Sequence, residues 1–326
     1  MQKRLSANEY IKGILAGDRI ILSRAITLIE SQLAQDKSLA QEVLEKILPF
    51  SGKSIRIGIT GVPGVGKSTF IEAFGKNITT QHKKIAVLAI DPSSQRTSGS
   101  IMGDKTRMEE LSHESNAYIR PSPSGNSLGG VANKTRETIL LCEAAGFEVI
   151  IVETVGVGQS ETVVKGMVDF FLLLMLSGAG DELQGIKRGI MEMADVVVIT
   201  KTDGDNVQKA KNARMEYVHA LHLYPPTPNK WYPPVLTCSA LEKTGLTEIW
   251  EIVLEFSSKM QENGFWKNNR QEQSLAWMYS YIRQSLESKF FDNQSIKKII
   301  PTIEEKVLSG ELLPIQGAKA LFSLIE

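Results

Sequence analysis

The chain has 326 residues, room for one large α/β domain with helical extensions or for two domains. Lys plus Arg and Asp plus Glu both number 37, so the formal net charge is zero and nothing suggests a nucleic-acid or acidic-membrane surface. The only two cysteines, Cys142 and Cys238, fall on a predicted helix and a predicted strand. They read as core thiols rather than a disulfide or a metal pair. The residues Met1 to Leu5 carry charge with no apolar stretch behind them, so no signal peptide is expected. The longest apolar run, Phe170 to Leu176, is too short to span a bilayer and suits a buried central strand. A soluble, cytoplasmic protein is expected.

Residues 1–50 carry a helical period. Ile14, Leu15, Ile21, Leu22, Ala25, Ile26, Ile29 and Leu33 form one run; Leu39, Val43, Leu44, Ile47 and Leu48 form a second after a polar break. Pro49 and Ser51-Gly52 end it and mark a boundary. From Ile55 to about Ser258 strands and helices alternate. Strands are expected at 55–60, 85–90, 117–120, 147–152, 170–176, 196–200 and 235–238, with helices including 131–145, 206–221 and 246–258. This order predicts a mainly parallel sheet with helices on both faces, and ligands at the carboxyl ends of its strands. Leu223 to Pro234, with five prolines, reads as an extended surface loop. Beyond Gly264 the pattern is helical again. Leu275, Met278, Ile282 and Leu286 share one face, as do Ile296, Ile299, Ile300 and Ile303, while Pro301 predicts a break between elements. The expected division is 1–50, 51–260 and 261–326.

The stretch Gly61, Val62, Pro63, Gly64, Val65, Gly66, Lys67, Ser68, Thr69 fills G-x-x-x-x-G-K-[ST] at every fixed position. Before it, Ile55, Ile57 and Ile59 alternate with Arg56, Gly58 and Thr60 as a strand does. After it, Ser68 to Lys76 can form a helix. Glycines turn successive backbone N–H groups into one concavity, and the helix N-terminus adds partial positive charge. Lys67 would reach the β/γ-phosphates and Ser68 would hold Mg²⁺. Asp91, at the end of the second strand, can bind Mg²⁺ directly or through water, or serve only as a turn residue. Ser93 to Met108 suits a loop near the γ-phosphate, with Asp104, Lys105, Thr106 and Arg107 as polar contacts.

Glu153-Thr-Val-Gly156 follows the next strand, where phosphate-binding α/β proteins keep an acidic residue for Mg²⁺ and a glycine that senses the γ-phosphate. Gln159 and Glu161 could orient water, against the plainer reading of a solvated helix start. Ser177 to Lys187 is either a second switch-like loop or a solvated turn. Thr200-Lys201-Thr202-Asp203 stands where guanine-specific proteins carry N-K-x-D. Asp203 would accept from guanine N1–H and the exocyclic amine, which adenine lacks, and Lys201 would lay its stem over the base. Thr200 replaces the usual Asn, so that amide's contact is expected to be lost or weakened. Ser239-Ala240-Leu241 matches the S-A-x turn that meets guanine O6. GTP is therefore favoured over ATP. His219 and His222 are three apart on a helix, but with no third ligand nearby they read as an ordinary helix face.

On these residues the chain resembles the MeaB/ArgK family of GTPase chaperones associated with methylmalonyl-CoA mutase. The resemblance spans almost the whole chain. Besides the segments above it rests on Gly17-Asp-Arg19, Ser23-Arg-Ala-Ile-Thr-Leu-Ile-Glu-Ser31, Asp91-Pro-Ser-Ser94, Arg96 to Met108, Glu153 to Glu161 and Gly178 to Lys187; Thr200 departs from it. It implies a P-loop GTPase fold and a slow intrinsic GTPase that binds a B12-dependent acyl-CoA mutase. Such a protein gates adenosylcobalamin delivery and helps to remove inactivated cofactor. It also implies a homodimer to which the C-terminal arm contributes, Ser68, Asp91, Asp104 and Glu153 around Mg²⁺, and Lys187 in a loop that responds to the mutase. No D-x-H-x-x-G cobalamin ligand motif is present, so the cofactor is assigned to the partner. Three alternatives remain open: a metal-delivery GTPase, for which the His-rich tract is missing; an ATP-dependent kinase linked to amino-acid transport, against which Asp203 argues; and a nucleotide-bound scaffold.

Overall fold

A computed structural model of the chain describes residues 4–90, 108–121, 128–154, 160–178, 188–225, 227 and 229–324. Seven parallel strands form one sheet: β1 (Ile55–Gly61), β2 (Ile85–Ile90), β3 (Ala117–Arg120), β4 (Val149–Thr154), β5 (Phe170–Leu176), β6 (Val196–Thr200) and β7 (Val235–Thr237). Their order is β3-β2-β4-β1-β5-β6-β7, which puts β1 at the centre. The strand expected at 147–152 is displaced by two residues, so Glu153 lies within β4, opposite Ile59 of β1 and Ala89 of β2.

Three helices precede the sheet: α1 (Ala7–Leu15), α2 (Arg19–Glu30) and α3 (Ala34–Ile47). The first apolar run was expected to continue through this region unbroken. Instead Gly17 takes φ +73° and Asp18 caps α2, accepting from the N–H groups of Ile20 and Ile21. A left-handed glycine followed by an N-cap aspartate ends one helix and begins the next. The chain continues through α4 (Lys67–Thr79), the single turn α5 (Glu109–Ser112), α6 (Leu128–Ala144), α7 (Ser160–Lys165), α8 (Arg188–Met193), α9 (Val207–Leu221), α10 (Leu246–Glu262), α11 (Phe265–Phe291), α12 (Gln294–Leu308) and α13 (Pro314–Phe322).

The two-residue period of each strand sorts the core onto the two faces of the sheet. Leu88, Val152 and Phe171 pack with Tyr10, Leu22, Ile26 and Cys142 of α1, α2 and α6. Val87, Ile151, Phe170 and Leu172 turn the other way, against Phe70 and Phe74 of α4 and Val253 and Phe256 of α10. Leu173, Met175 and Ile199 meet Ala213 and Tyr217 of α9.

Two expectations are corrected. The segment Leu223 to Pro234 is not wholly a surface loop. Trp231 is buried, with its ring edge-on to Phe256 at 5.1 Å, and its Nε1–H donates to the Asp195 carbonyl at 2.8 Å. An indole with a partner for its N–H fills the core well, and proline content does not reveal it. Nor does Pro301 separate two elements: it lies inside α12. That proline removes one backbone hydrogen bond, and the isoleucine period continues on both sides of it.

The chain divides into two compact units, residues 1–273 and 274–326. In the first, the start of α11 is locked by Arg270, which pairs with Asp169 at 2.7 Å and donates to the Gly52 and Ser54 carbonyls at 2.6 and 2.7 Å. In the second, Phe290 and Phe322 pack ring against ring at 4.8 Å.

Candidate functional site

The phosphate loop leaves the central strand between β4 and β5. A Cβ on Gly61 would stand 2.6 Å from the Leu174 carbonyl oxygen of β5, so only glycine fits there. Gly64 and Gly66 take φ +77° and +90°, and Gly66 is the N-cap of α4 without any side chain to cap the helix. The first N–H groups of α4, with no intrahelical partner, therefore face the loop's concavity and suit phosphate oxygens.

Lys67, half-buried, donates to the Gly61 carbonyl at 3.0 Å, which holds its stem along the loop. Burial draws its pKa below the ordinary lysine value, while Glu153 and Glu161 pull the other way. The Ser68 hydroxyl donates to Glu153 Oε1 at 3.3 Å. A hydroxyl and a carboxylate brought together at the phosphate end of the sheet are hard oxygen donors of the kind Mg²⁺ prefers, so these two residues fit that ion. No group of three or more His, Cys, Asp or Glu side chains forms a metal cluster among the described residues.

Glu161 was read as a solvated helix start, and that is wrong. It is 1% exposed, at the head of α7, and accepts from the Thr60 hydroxyl at 3.4 Å. Thr60 in turn accepts from Thr154 at 2.8 Å, so β1, β4 and α7 share one buried polar cluster beneath the loop. Sequence gave no sign of it, because the strand period places Thr60 and Thr154 without saying that they meet. Asp91, Asp104, Gly156 and Lys187 lie outside the described residues, as do Gln159 and most of the stretch from Ser177 to Lys187.

The two segments expected to meet the base, Thr200 to Asp203 and Ser239 to Leu241, lie at the ends of β6 and β7. Ser239, fully buried, donates to Asp203 Oδ2 and accepts from the Glu242 N–H at 3.0 Å, so the carboxylate is held in one orientation. Beneath it Gly245 sits at φ +76°, with no room for a Cβ against the Thr237 carbonyl; the Ser239–Thr244 pair closes the turn. Ala240 and Leu241 follow in that turn, and Leu241 is exposed. The Cys238 thiol beside it is pushed up to about 12 by burial and by Asp203, so it stays neutral.

Thr200 does make a contact: its hydroxyl donates to the Val65 carbonyl at 2.9 Å, binding the end of β6 to the phosphate loop. Lys201 donates to the Gly64 carbonyl at 2.9 Å and holds φ +58°. A left-handed lysine is strained by roughly 1–3 kcal/mol and persists because neighbours fix it. Asn206, which the sequence reading missed, supplies one such bond by donating to the Lys201 carbonyl at 2.6 Å, and accepts from Ser177 at 2.7 Å.

A glycine-lined loop on the central strand, joined by Thr200 and Lys201 to the segment that carries the Ser239-oriented Asp203 carboxylate, is the architecture of a P-loop GTPase. Comparison with known proteins narrows the class. The chain belongs to the family described as methylmalonyl-CoA mutase-associated GTPase MeaB, whose profile matches residues 22–295. It is 52% identical over 310 residues to a putative GTPase of Caulobacter vibrioides, covering 95% of both chains. It is 45% identical over 318 residues to the GTPase ArgK of Escherichia coli, covering 98% of this chain and 96% of that one. A mouse protein named methylmalonic aciduria type A homolog, mitochondrial, is 48% identical over 319 residues, 95% of this chain and 77% of its own. Among solved structures, one described as a LAO/AO transport system kinase superposes with a TM-score of 0.77 at 38% identity, over 100% of this chain and 99% of that one.

Proposed function

We propose that this chain is a Mg²⁺-dependent GTPase that binds a B12-dependent acyl-CoA mutase, methylmalonyl-CoA mutase, and gates adenosylcobalamin loading and the removal of inactivated cofactor. The observation that carries the nucleotide assignment is the Ser239-oriented Asp203, a fixed double acceptor that guanine satisfies and adenine does not. The mutase assignment rests on the family's description and on the names of relatives alike over nearly the whole chain.

Lys67 and the first amides of α4 bind the β- and γ-phosphates, while Ser68 and Glu153 hold Mg²⁺, with Asp91 and Asp104 as further candidates. The ion supplies neutralisation of charge that builds on the phosphate oxygens. The residues themselves position the nucleotide and exclude alternative poses, with no strong base required. Gly156 and Lys187 are assigned to the segments that respond to the γ-phosphate and to the mutase. As proposed, the protein is a cytoplasmic homodimer. Leu275, Met278, Ile282 and Leu286, each 43–62% exposed, provide an apolar face for a second copy.

Turnover of GTP and ATP by the purified chain, with size-exclusion chromatography beside the mutase of the same organism, tests the proposal. GTP-only turnover and co-elution that depends on the nucleotide are expected. ATP preference would overturn the base assignment, and failure to co-elute in any nucleotide state would overturn the partner.

A further inference from the structure

The stretch Gly17 to Ser31 supplies no residue to the nucleotide site described above. In α2 the residues Leu22, Ala25, Ile26, Leu28 and Ile29 are buried and account for the core face. At 100° per residue, Arg19, Ser23, Arg24 and Thr27 fall in an opposing arc of about 140°. Packing does not require guanidinium and hydroxyl groups there. They line a cavity of about 600 Å³ between α2 and the edge strand β3. No residue of the phosphate loop or the base-reading turn contributes to it, and β3 stands three places from β1 in the sheet.

The chemistry of the cavity is cationic at one side and apolar at another. Arg19 donates to two main-chain carbonyls, those of Glu114 and Ala117, and forms no ion pair among the described residues. Carbonyls fix the guanidinium without cancelling its charge, and donors remain among its five N–H groups. Arg4 is positioned differently, in a two-point pair with Asp36 at 2.6 and 3.1 Å. The Ser23 hydroxyl and the Tyr118 phenol meet at 3.0 Å on the cavity wall, and Ile20, 73% exposed, offers an apolar shelf at its rim. In a chain with no net charge, guanidinium groups gathered in a concave, hydroxyl-lined space are a local choice rather than a reflection of composition.

We infer that this cavity is a second ligand site, separate from the nucleotide site, which takes a small organic anion: a phosphate ester held by Arg19 and Arg24 with its apolar body on Ile20. Arginine suits such a group because its planar fork meets two oxygens at once. The inference is independent of the mutase assignment and stands or fails on binding alone.

The test is calorimetric titration of phenyl phosphate, and separately of inorganic phosphate, into the full chain saturated with GDP. One molecule of phenyl phosphate should bind per chain, more tightly than inorganic phosphate. Arg19→Gln and Arg24→Gln should each weaken it about tenfold, the loss of one charge-assisted contact, and leave GDP affinity unchanged. Arg24→Gln leaves the two carbonyl contacts of Arg19 in place, so it remains informative should Arg19→Gln impair folding. Absence of binding to the GDP-saturated chain, or equal binding in wild type and Arg24→Gln, would overturn the site. Equal affinity for the two anions would overturn the apolar shelf.

Discussion

Asp203→Asn tests the base assignment at a position where the surrounding structure need not move. The Ser239 hydroxyl that now donates to Asp203 can donate equally to an amide oxygen, and its own bond from the Glu242 N–H is untouched. The amide group would then point its N–H₂ at the base edge where guanine presents two donors. Two charge-assisted hydrogen bonds, each worth about 1.5–3 kcal/mol, would be lost or made repulsive. At about 1.4 kcal/mol per tenfold, GTP and GDP affinity should fall by roughly 10² to 10⁴. Xanthine carries a carbonyl where guanine carries its amine, so XTP affinity should rise over the same range. Fluorescence titration with labelled GDP, competed by XDP and ADP, reads both changes at once. Unchanged preference for GDP over XDP in a folded variant would refute the assignment of Asp203.

Lys67→Ala removes the ammonium that the loop holds on the Gly61 carbonyl and should abolish tight nucleotide binding; native GDP affinity by calorimetry would contradict the cradle. Gly245→Ala places a methyl against the Thr237 carbonyl at a left-handed φ, so chemical denaturation should show a loss of about 1–3 kcal/mol or more, and GDP should bind more weakly. Glu143 is buried and accepts from Arg56, the Ser54 hydroxyl and the Gly52 N–H. Burial alone would raise its pKa, but those partners together hold it below the ordinary 4.5. Its stabilising contribution is therefore complete above about pH 4.5 and is lost as pH falls through the depressed value. Glu143→Gln should cost about 3–5 kcal/mol at neutral pH, less as the medium is acidified, and a pH-independent difference between the two proteins would contradict this.

The parallel sheet and its cradle were legible because both are local. Alternating isoleucines ran into fixed glycines, and the left-handed φ of Gly64 and Gly66 is what the motif itself calls for, whereas the reason for Gly61, the Leu174 carbonyl of β5, is long-range. The segments around Asp203 and Ser239 were each visible in the sequence, but their meeting required the ends of β6 and β7 to be brought together. What stayed hidden was long-range. Glu161 looks like any charged residue at a helix start until Thr60, 101 positions earlier, is found beside it. Trp231 lay in a proline-rich stretch whose composition says surface, while its indole answers Asp195 and Phe256. Pro301 misled in the opposite way: a rule about backbone hydrogen bonds was outweighed by an apolar period that continues across it.

The measurement that bears most directly on a mutase-associated GTPase is the single-turnover rate of GTP hydrolysis, taken alone and with the methylmalonyl-CoA mutase of the same organism at saturation. Slow GTP turnover that the mutase accelerates, with ATP inert in both arms, is the predicted result. A GTP rate indifferent to the mutase at every concentration would contradict the account.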